Sequence, residues 1–141
     1  MTKIIAGVDE VGRGSLIGPV YAAAVILNKS INNKLLKDSK SISKNKRKKL
    51  FSYIKKNCTF SIGKASAKEI ERLNILHASL LAMKRAIKKL KKKPNFVLID
   101  GNKLPNLKDY NLKCTIKGDQ KIPSISAASI IAKVTRDKFI T

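Results

Sequence analysis

Apolar and polar positions fall in blocks along this chain, and the blocks predict strands and helices in alternation. Residues 4–8 and 21–27 are short apolar runs on either side of a turn containing Gly12, Gly14, Gly18 and Pro19, which predicts two strands paired antiparallel. A loop over residues 28–43 leads to a helix with Ser43 as its N-cap and Leu50, Phe51 and Ile54 on its inward side. Residues 58–64 read as a third strand. Ser66 and Glu69 have the spacing of a capping box, and Leu73, Leu76, Leu80, Met83, Ile87 and Leu90 then recur at steps of three and four, as a packed helix stripe does. Asn74 inside that stripe is either an ordinary helical residue or a second N-cap, and the pattern leaves both open. Pro94 stops the helix. The run Phe96-Val97-Leu98-Ile99 has no polar alternation, the mark of a parallel strand covered on both faces, and a short fifth strand follows over residues 113–116. Pro123 and Ser124 open a last helix with Ala127, Ile130, Ile131 and Val134 on one face, flanked by the small residues Ser126, Ala128 and Ser129.

Strands with intervening helices in 141 residues, 43% of them hydrophobic, give one α/β domain with a real core and argue against disorder. No internal repeat, low-complexity linker or domain boundary interrupts residues 1–141, so a single domain is expected. Charge changes the picture: 31 Lys and Arg against 9 Asp and Glu leave a formal +22, and the default partner of such a chain is a polyanion. Cys58 and Cys114 lack metal-ligand spacing and are expected as buried free thiols in a reducing compartment. No apolar stretch is long enough for a bilayer and the first strand begins at once, so a soluble, cytoplasmic protein with no membrane partner is expected.

The acids sit at informative places. Asp9 and Glu10 end the first apolar strand, where carboxylates are costly unless paired or bound to a cation. The turn beyond supplies Arg13, and Gly12 and Gly14 let backbone N–H groups approach a phosphate or a sugar hydroxyl. Asp100 repeats the geometry of Asp9 at the end of the fourth apolar run, and adjacent parallel strands ending in these residues would bring their carboxylates into one crevice. Asp119 adds a fourth acid. Clustered carboxylates repel one another and are best held by a hard divalent cation such as Mg²⁺, with Asp9 and Asp100 as shared ligands of two ions and Glu10 and Asp119 completing the shells. Lys40 and the cluster around Lys46, residues 44–49, either track a phosphate backbone or form a solvated helix face. His77, the sole histidine, is expected to be packed or hydrogen-bonded in its helix rather than catalytic.

Taken together, Asp9-Glu10-Val11-Gly12-Arg13-Gly14 with Gly18-Pro19, Asp38-Ser39-Lys40, Leu98-Ile99-Asp100-Gly101-Asn102, Gly118-Asp119 and the run from Ser126 to Asp137 resemble bacterial ribonuclease HII. The resemblance spans the chain and implies a ribonuclease H-like fold, a mixed five-stranded sheet flanked by helices. It implies hydrolysis of the RNA strand of RNA–DNA hybrids and incision 5′ of ribonucleotides embedded in duplex DNA, with Mg²⁺ or Mn²⁺, by a monomer. The family's four catalytic carboxylates fall on Asp9, Glu10, Asp100 and Asp119. Its glycine-arginine-glycine element, which contacts the ribose 2′-hydroxyl and a neighbouring phosphate, falls on Gly12, Arg13 and Gly14. Asp137 also matches and is expected to be structural, pairing near Arg136 or Lys133. Family members ordinarily continue beyond this helix, so the chain is expected to be truncated, with apolar surface left uncovered on the layer of its last helix. A truncated hybrid-binding protein that cuts poorly or not at all remains the alternative. A purely basic binding module accounts for the charge but not for the four acids.

Overall fold

The computed structural model describes residues 3–12, 18–29, 31, 33–36 and 42–140, the side chains of residues 35, 139 and 140 excepted. Among the described residues the chain runs β1 (Ile5–Val11), β2 (Val20–Leu27), a 3-10 turn (Asn33–Leu36), α1 (Lys44–Asn57), β3 (Cys58–Ala65), α2 (Ala67–Lys89), β4 (Phe96–Asp100), β5 (Leu112–Thr115), the short α3 (Gly118–Lys121) and α4 (Pro123–Ile140). The strands form one mixed sheet in the order β3-β2-β1-β4-β5. β1 pairs antiparallel with β2 from Ala6 opposite Ile26 to Val11 opposite Tyr21, and β2 pairs antiparallel with β3. On its other side β1 runs parallel to β4, which runs parallel to β5. The expected mixed five-stranded sheet flanked by helices is thus the observed fold.

Side-chain alternation divides the core between the two faces of the sheet. Ala22 and Ala24 of β2 join Ala6, Val8, Val97 and Ile99 against α2. Ala23 and Val25 face the other way, joining Phe51 and Ile54 of α1 and Ile130 and Ile131 of α4. The leucine stripe expected to pack α2 is only partly the buried one. Met83 and Ile87 are buried, but the residues closest to the sheet are Ala78, Ser79, Ala82 and Ala86, while Leu73, Leu76, Leu80 and Leu90 are half-buried. The reason is a close approach at Gly63, where a Cβ would lie 2.1 Å from the Ala82 carbonyl oxygen and 2.4 Å from the Ala86 nitrogen. Only small residues on α2 permit that spacing.

Local signals behave as written in the sequence. Ser43 Oγ accepts from Lys46 N, and Ser66 with Glu69 forms a complete capping box. Asn74 resolves as a second cap: at φ 69° it breaks the helix, and its Oδ1 accepts the His77 N–H at 3.0 Å. Ile130, Ile131 and Val134 are buried, and the exposed large hydrophobic side chains among the described residues are Ile5, Phe96, Leu104 and Ile116, none of them on α4. Cys58 and Cys114 are free but half-buried rather than buried, and burial pushes both thiols up from their ordinary pKa.

Candidate active site

The parallel pairing of β1 with β4 brings Val8 opposite Ile99. One residue further along each strand come Asp9 and Asp100, side by side at the carboxyl end of the parallel pair, where α/β sheets collect functional groups. The acid pair does not end β1 as expected, because the antiparallel ladder with β2 continues past it and sets Asp9 and Glu10 opposite Ala23 and Ala22. The third carboxylate arrives from α3. Lys117, left-handed at φ 56°, turns the chain out of β5 so that Gly118 and Asp119 tuck beneath the strand ends, and both are buried. The Gly118 N–H donates to Asp100 Oδ1 at 2.8 Å, tying the α3 start to the end of β4. Gly7 fixes the other wall: a Cβ there would lie 2.3 Å from the Ser124 carbonyl carbon and 2.4 Å from the Ile125 nitrogen, so α4 begins directly against β1.

Asp9, Asp100 and Asp119 each present a carboxylate oxygen within 4.8 Å of the others. Asp9 is 7% exposed and Asp119 4%, with Asp100 half-buried. Burial is the main cause that raises the Asp9 carboxyl well above its ordinary range; the Asp100, Glu10 and Asp119 charges add to it, and the Glu10 N–H, donating to Asp9 Oδ1 at 2.8 Å, opposes it. Such a set stores electrostatic repulsion that a hard divalent cation relieves, and three converging carboxylate oxygens are the donors such an ion takes. The residues fit the ion. Glu10 is adjacent to this group but not within it, and its charge is among those that raise the Asp9 carboxyl.

The other expected site residues are distributed unevenly. Gly12 closes β1 at φ 112°, in the region that favours glycine, with the Arg136 Nε 3.0 Å and the Pro19 carbonyl oxygen 3.1 Å from where a Cβ would stand. Arg13, Gly14 and Lys40 lie outside the described residues. Lys46 is exposed on α1, while its neighbours Lys44, Arg47 and Lys48 line a cleft against α4. Asp137 faces this cleft, its Oδ2 3.9 Å from Arg47 Nη1, so an ion pair reaches across to α1. His77 is exposed rather than packed; it borders a groove with Leu73, Leu80 and Leu81, and its backbone N–H donates to Asn74 Oδ1. Lys138 carried no signal beyond its charge, because its place in the cleft depends on α1 and α4 meeting across a long stretch of sequence.

A mixed sheet with buried carboxylates where its central parallel strands end, on a chain of net charge +22, defines a nuclease of the ribonuclease H-like class. More narrowly, the chain belongs to the ribonuclease HII family, whose profile, described as Ribonuclease HII, matches residues 6–141. It is 78% identical over 139 residues to Ribonuclease HII of Pelagibacter ubique, covering 99% of this chain and 75% of that protein. It is 55% identical over 138 residues to Ribonuclease HII of Pseudoalteromonas atlantica, covering 97% of this chain and 70% of that protein. The crystal structure of ribonuclease H2 from Pyrococcus horikoshii superposes with a TM-score of 0.78 at 30% identity, over 96% of this chain and 72% of that one. Membership makes the protein a hydrolase with ribonuclease H activity, acting on nucleic acid. Among the described residues no helix is long and apolar enough to cross a membrane.

Proposed function

We propose that residues 1–141 form a single catalytic domain that cuts the RNA strand of RNA–DNA hybrids and incises 5′ of ribonucleotides embedded in duplex DNA, using two divalent cations, Mg²⁺ or Mn²⁺. The observation that carries this reading is the convergence of Asp9, Asp100 and Asp119 on one another within 4.8 Å. Asp9 and Asp100 would be shared between the ions, with Asp119 on one side and Glu10 at the rim. When bound, two such ions supply the positive charge that favours in-line displacement at a phosphodiester.

The chain's own groups prepare the site. The Glu10 N–H fixes one Asp9 oxygen and the Gly118 N–H fixes one Asp100 oxygen, so each carboxylate has its remaining oxygen oriented. Burial of Asp9 and Asp119 keeps bulk water from screening the charges they hold. Gly12, Arg13 and Gly14 would read the ribose 2′-hydroxyl through backbone N–H groups, the one chemical difference between RNA and DNA at the cut site. The left-handed backbone at Gly12 supports a turn of that kind. Lys40 and Lys46 would contact phosphates.

The test is cleavage of three duplexes, an RNA–DNA hybrid, a DNA duplex with one ribonucleotide and an all-DNA duplex, with and without Mg²⁺. Cleavage of the first two only, and only with metal, is the expected outcome. Binding of the hybrid without cleavage in the presence of Mg²⁺ would instead establish the hybrid-binding alternative, and metal-independent cleavage would contradict the site.

A further inference from the structure

Beyond the carboxylates, cations from the cluster at residues 44–49 meet Lys138 of α4 in one place. The amino end of α1 and the carboxyl end of α4 enclose a cleft of about 200 Å³, lined by Lys44, Arg47, Lys48, Lys138, Asp137 and Val134. At roughly 30 Å³ per water this holds about six waters, enough space for a phosphate group. Four cations face it and one carboxylate, whose Oδ2 lies 3.9 Å from Arg47 Nη1. Arg47 is largely buried, its side chain 21% exposed, and its buried Nε finds no acceptor among the described residues. A guanidinium has five N–H donors, so a single distant carboxylate leaves most of them available. Lys138 is held at the wall of the cleft by the Phe51 ring, with its Nζ 4.7 Å from the ring centroid. A cleft whose lining is predominantly cationic concentrates a positive field on whatever enters.

Its place in the fold says what enters. Gly12 lies three residues beyond Asp9 on an extended strand, about 10 Å along β1 at roughly 3.3 Å per residue. Gly12 abuts Arg136, and the next residue, Asp137, faces Arg47 across the cleft. Carboxylates, Gly12 and cationic cleft therefore follow one another, a path that a nucleic-acid strand laid over the carboxylates would continue.

We infer that the α1–α4 cleft is a phosphate subsite for the duplex backbone a few nucleotides from the cut, in which Arg47, Lys44, Lys48 and Lys138 bind one phosphate and Asp137 positions Arg47. This rests on the nuclease reading above and gives Lys46, exposed on the outer side of α1, a lesser part than its cleft-lining neighbours.

Binding of a short all-DNA duplex, followed against salt concentration, tests the subsite without cleavage. Changing Lys44, Lys48 and Lys138 together to alanine should lower the slope of log K against log salt by about one, the loss of a single phosphate contact. The same charge removed at the end of α2, by Lys88→Ala, Lys89→Ala and Lys91→Ala, should leave the slope near that of the wild type. In the unaltered protein, the NMR signal of the Arg47 Nε–H should shift on duplex addition, which decides the matter even if the triple variant fails to fold. Equal slope changes in the two triple variants, or an Arg47 signal that stays in place while the duplex binds, would overturn the inference. Cleavage by the wild type, scored separately on a ribonucleotide-bearing duplex, reports on the underlying nuclease reading alone.

Discussion

Replacing Gly7 by alanine puts a methyl group where the start of α4 already stands, 2.3 Å from the Ser124 carbonyl carbon, 2.4 Å from the Ile125 nitrogen and 2.5 Å from Ser124 Oγ. Two of these atoms are backbone, so no rotamer change relieves the contact; α4 has to move away from β1 by about 1 Å to restore ordinary van der Waals spacing of 3.4 Å. Overpacking of this kind costs about 1–3 kcal/mol. For a chain of this length that is a fall in Tm of roughly 3–12 °C. The displacement also has a local consequence, because α3 with Asp119 immediately precedes α4, and Gly7 is two residues from Asp9. Gly63→Ala is the matched control. Its Cβ would lie 2.1 Å from the Ala82 carbonyl oxygen, a comparable clash, but under α2 on the opposite face of the sheet. Both variants should lose Tm. A ligand at 100 times its Kd stabilises the folded state by about 2.7 kcal/mol, so adding Mg²⁺ or Mn²⁺ should raise Tm in the wild type and in Gly63→Ala, and raise it much less in Gly7→Ala. An unchanged Tm in Gly7→Ala, or the same metal-induced gain in both variants, would refute the reasoning.

Asn74 carries both a cap and a left-handed backbone, so Asn74→Ala should cost about 1–2 kcal/mol in chemical denaturation while Asn74→Gly, free of the φ penalty, costs only a few tenths; equal losses would show that neither matters. Glu69 is held down to about 2, first by its hydrogen bonds from Arg85 at 2.6 and 2.7 Å and then by the Ser66 N–H. Its folded-state pKa lies below the unfolded one, so its contribution is present above the ordinary value of 4.5 and is lost as pH falls from there towards 2. The stability difference between the wild type and Arg85→Ala should therefore shrink over that interval, and a difference constant with pH would contradict the assignment.

Most of the fold was legible because each strand and helix carried its own period and its own stop signals. The parallel placement of β4 beside β1 was legible too, from the uninterrupted apolar run at residues 96–99 and the long helix before it. What escaped the sequence depends on distances between elements. The face of α2 nearest the sheet is alanine rather than leucine because Gly63 allows backbone to meet backbone, and hydrophobicity alone ranks leucine first. His77 was expected to pack, but the break at Asn74 rotates the register of the following helix and leaves it exposed. Within the site, Asp9 and Asp100 could be paired from strand logic, whereas the depth of Asp119 rests on a left-handed lysine and a four-residue helix that no period announces. Glu10 lies beside the converging aspartates rather than among them, and its charge still adds to the load on Asp9.

The central claim is that Asp9, Asp100 and Asp119 act together on a nucleic-acid phosphodiester, and Asp100→Asn tests it most directly. The asparagine keeps an oxygen to accept the Gly118 N–H and so keeps the link between β4 and α3, while removing the negative charge a divalent ion needs. Cleavage of a duplex bearing one ribonucleotide should be abolished, and affinity for an RNA–DNA hybrid should stay within a few fold because binding rests mainly on phosphate contacts. Cleavage at close to the wild-type rate by the purified variant would contradict the account.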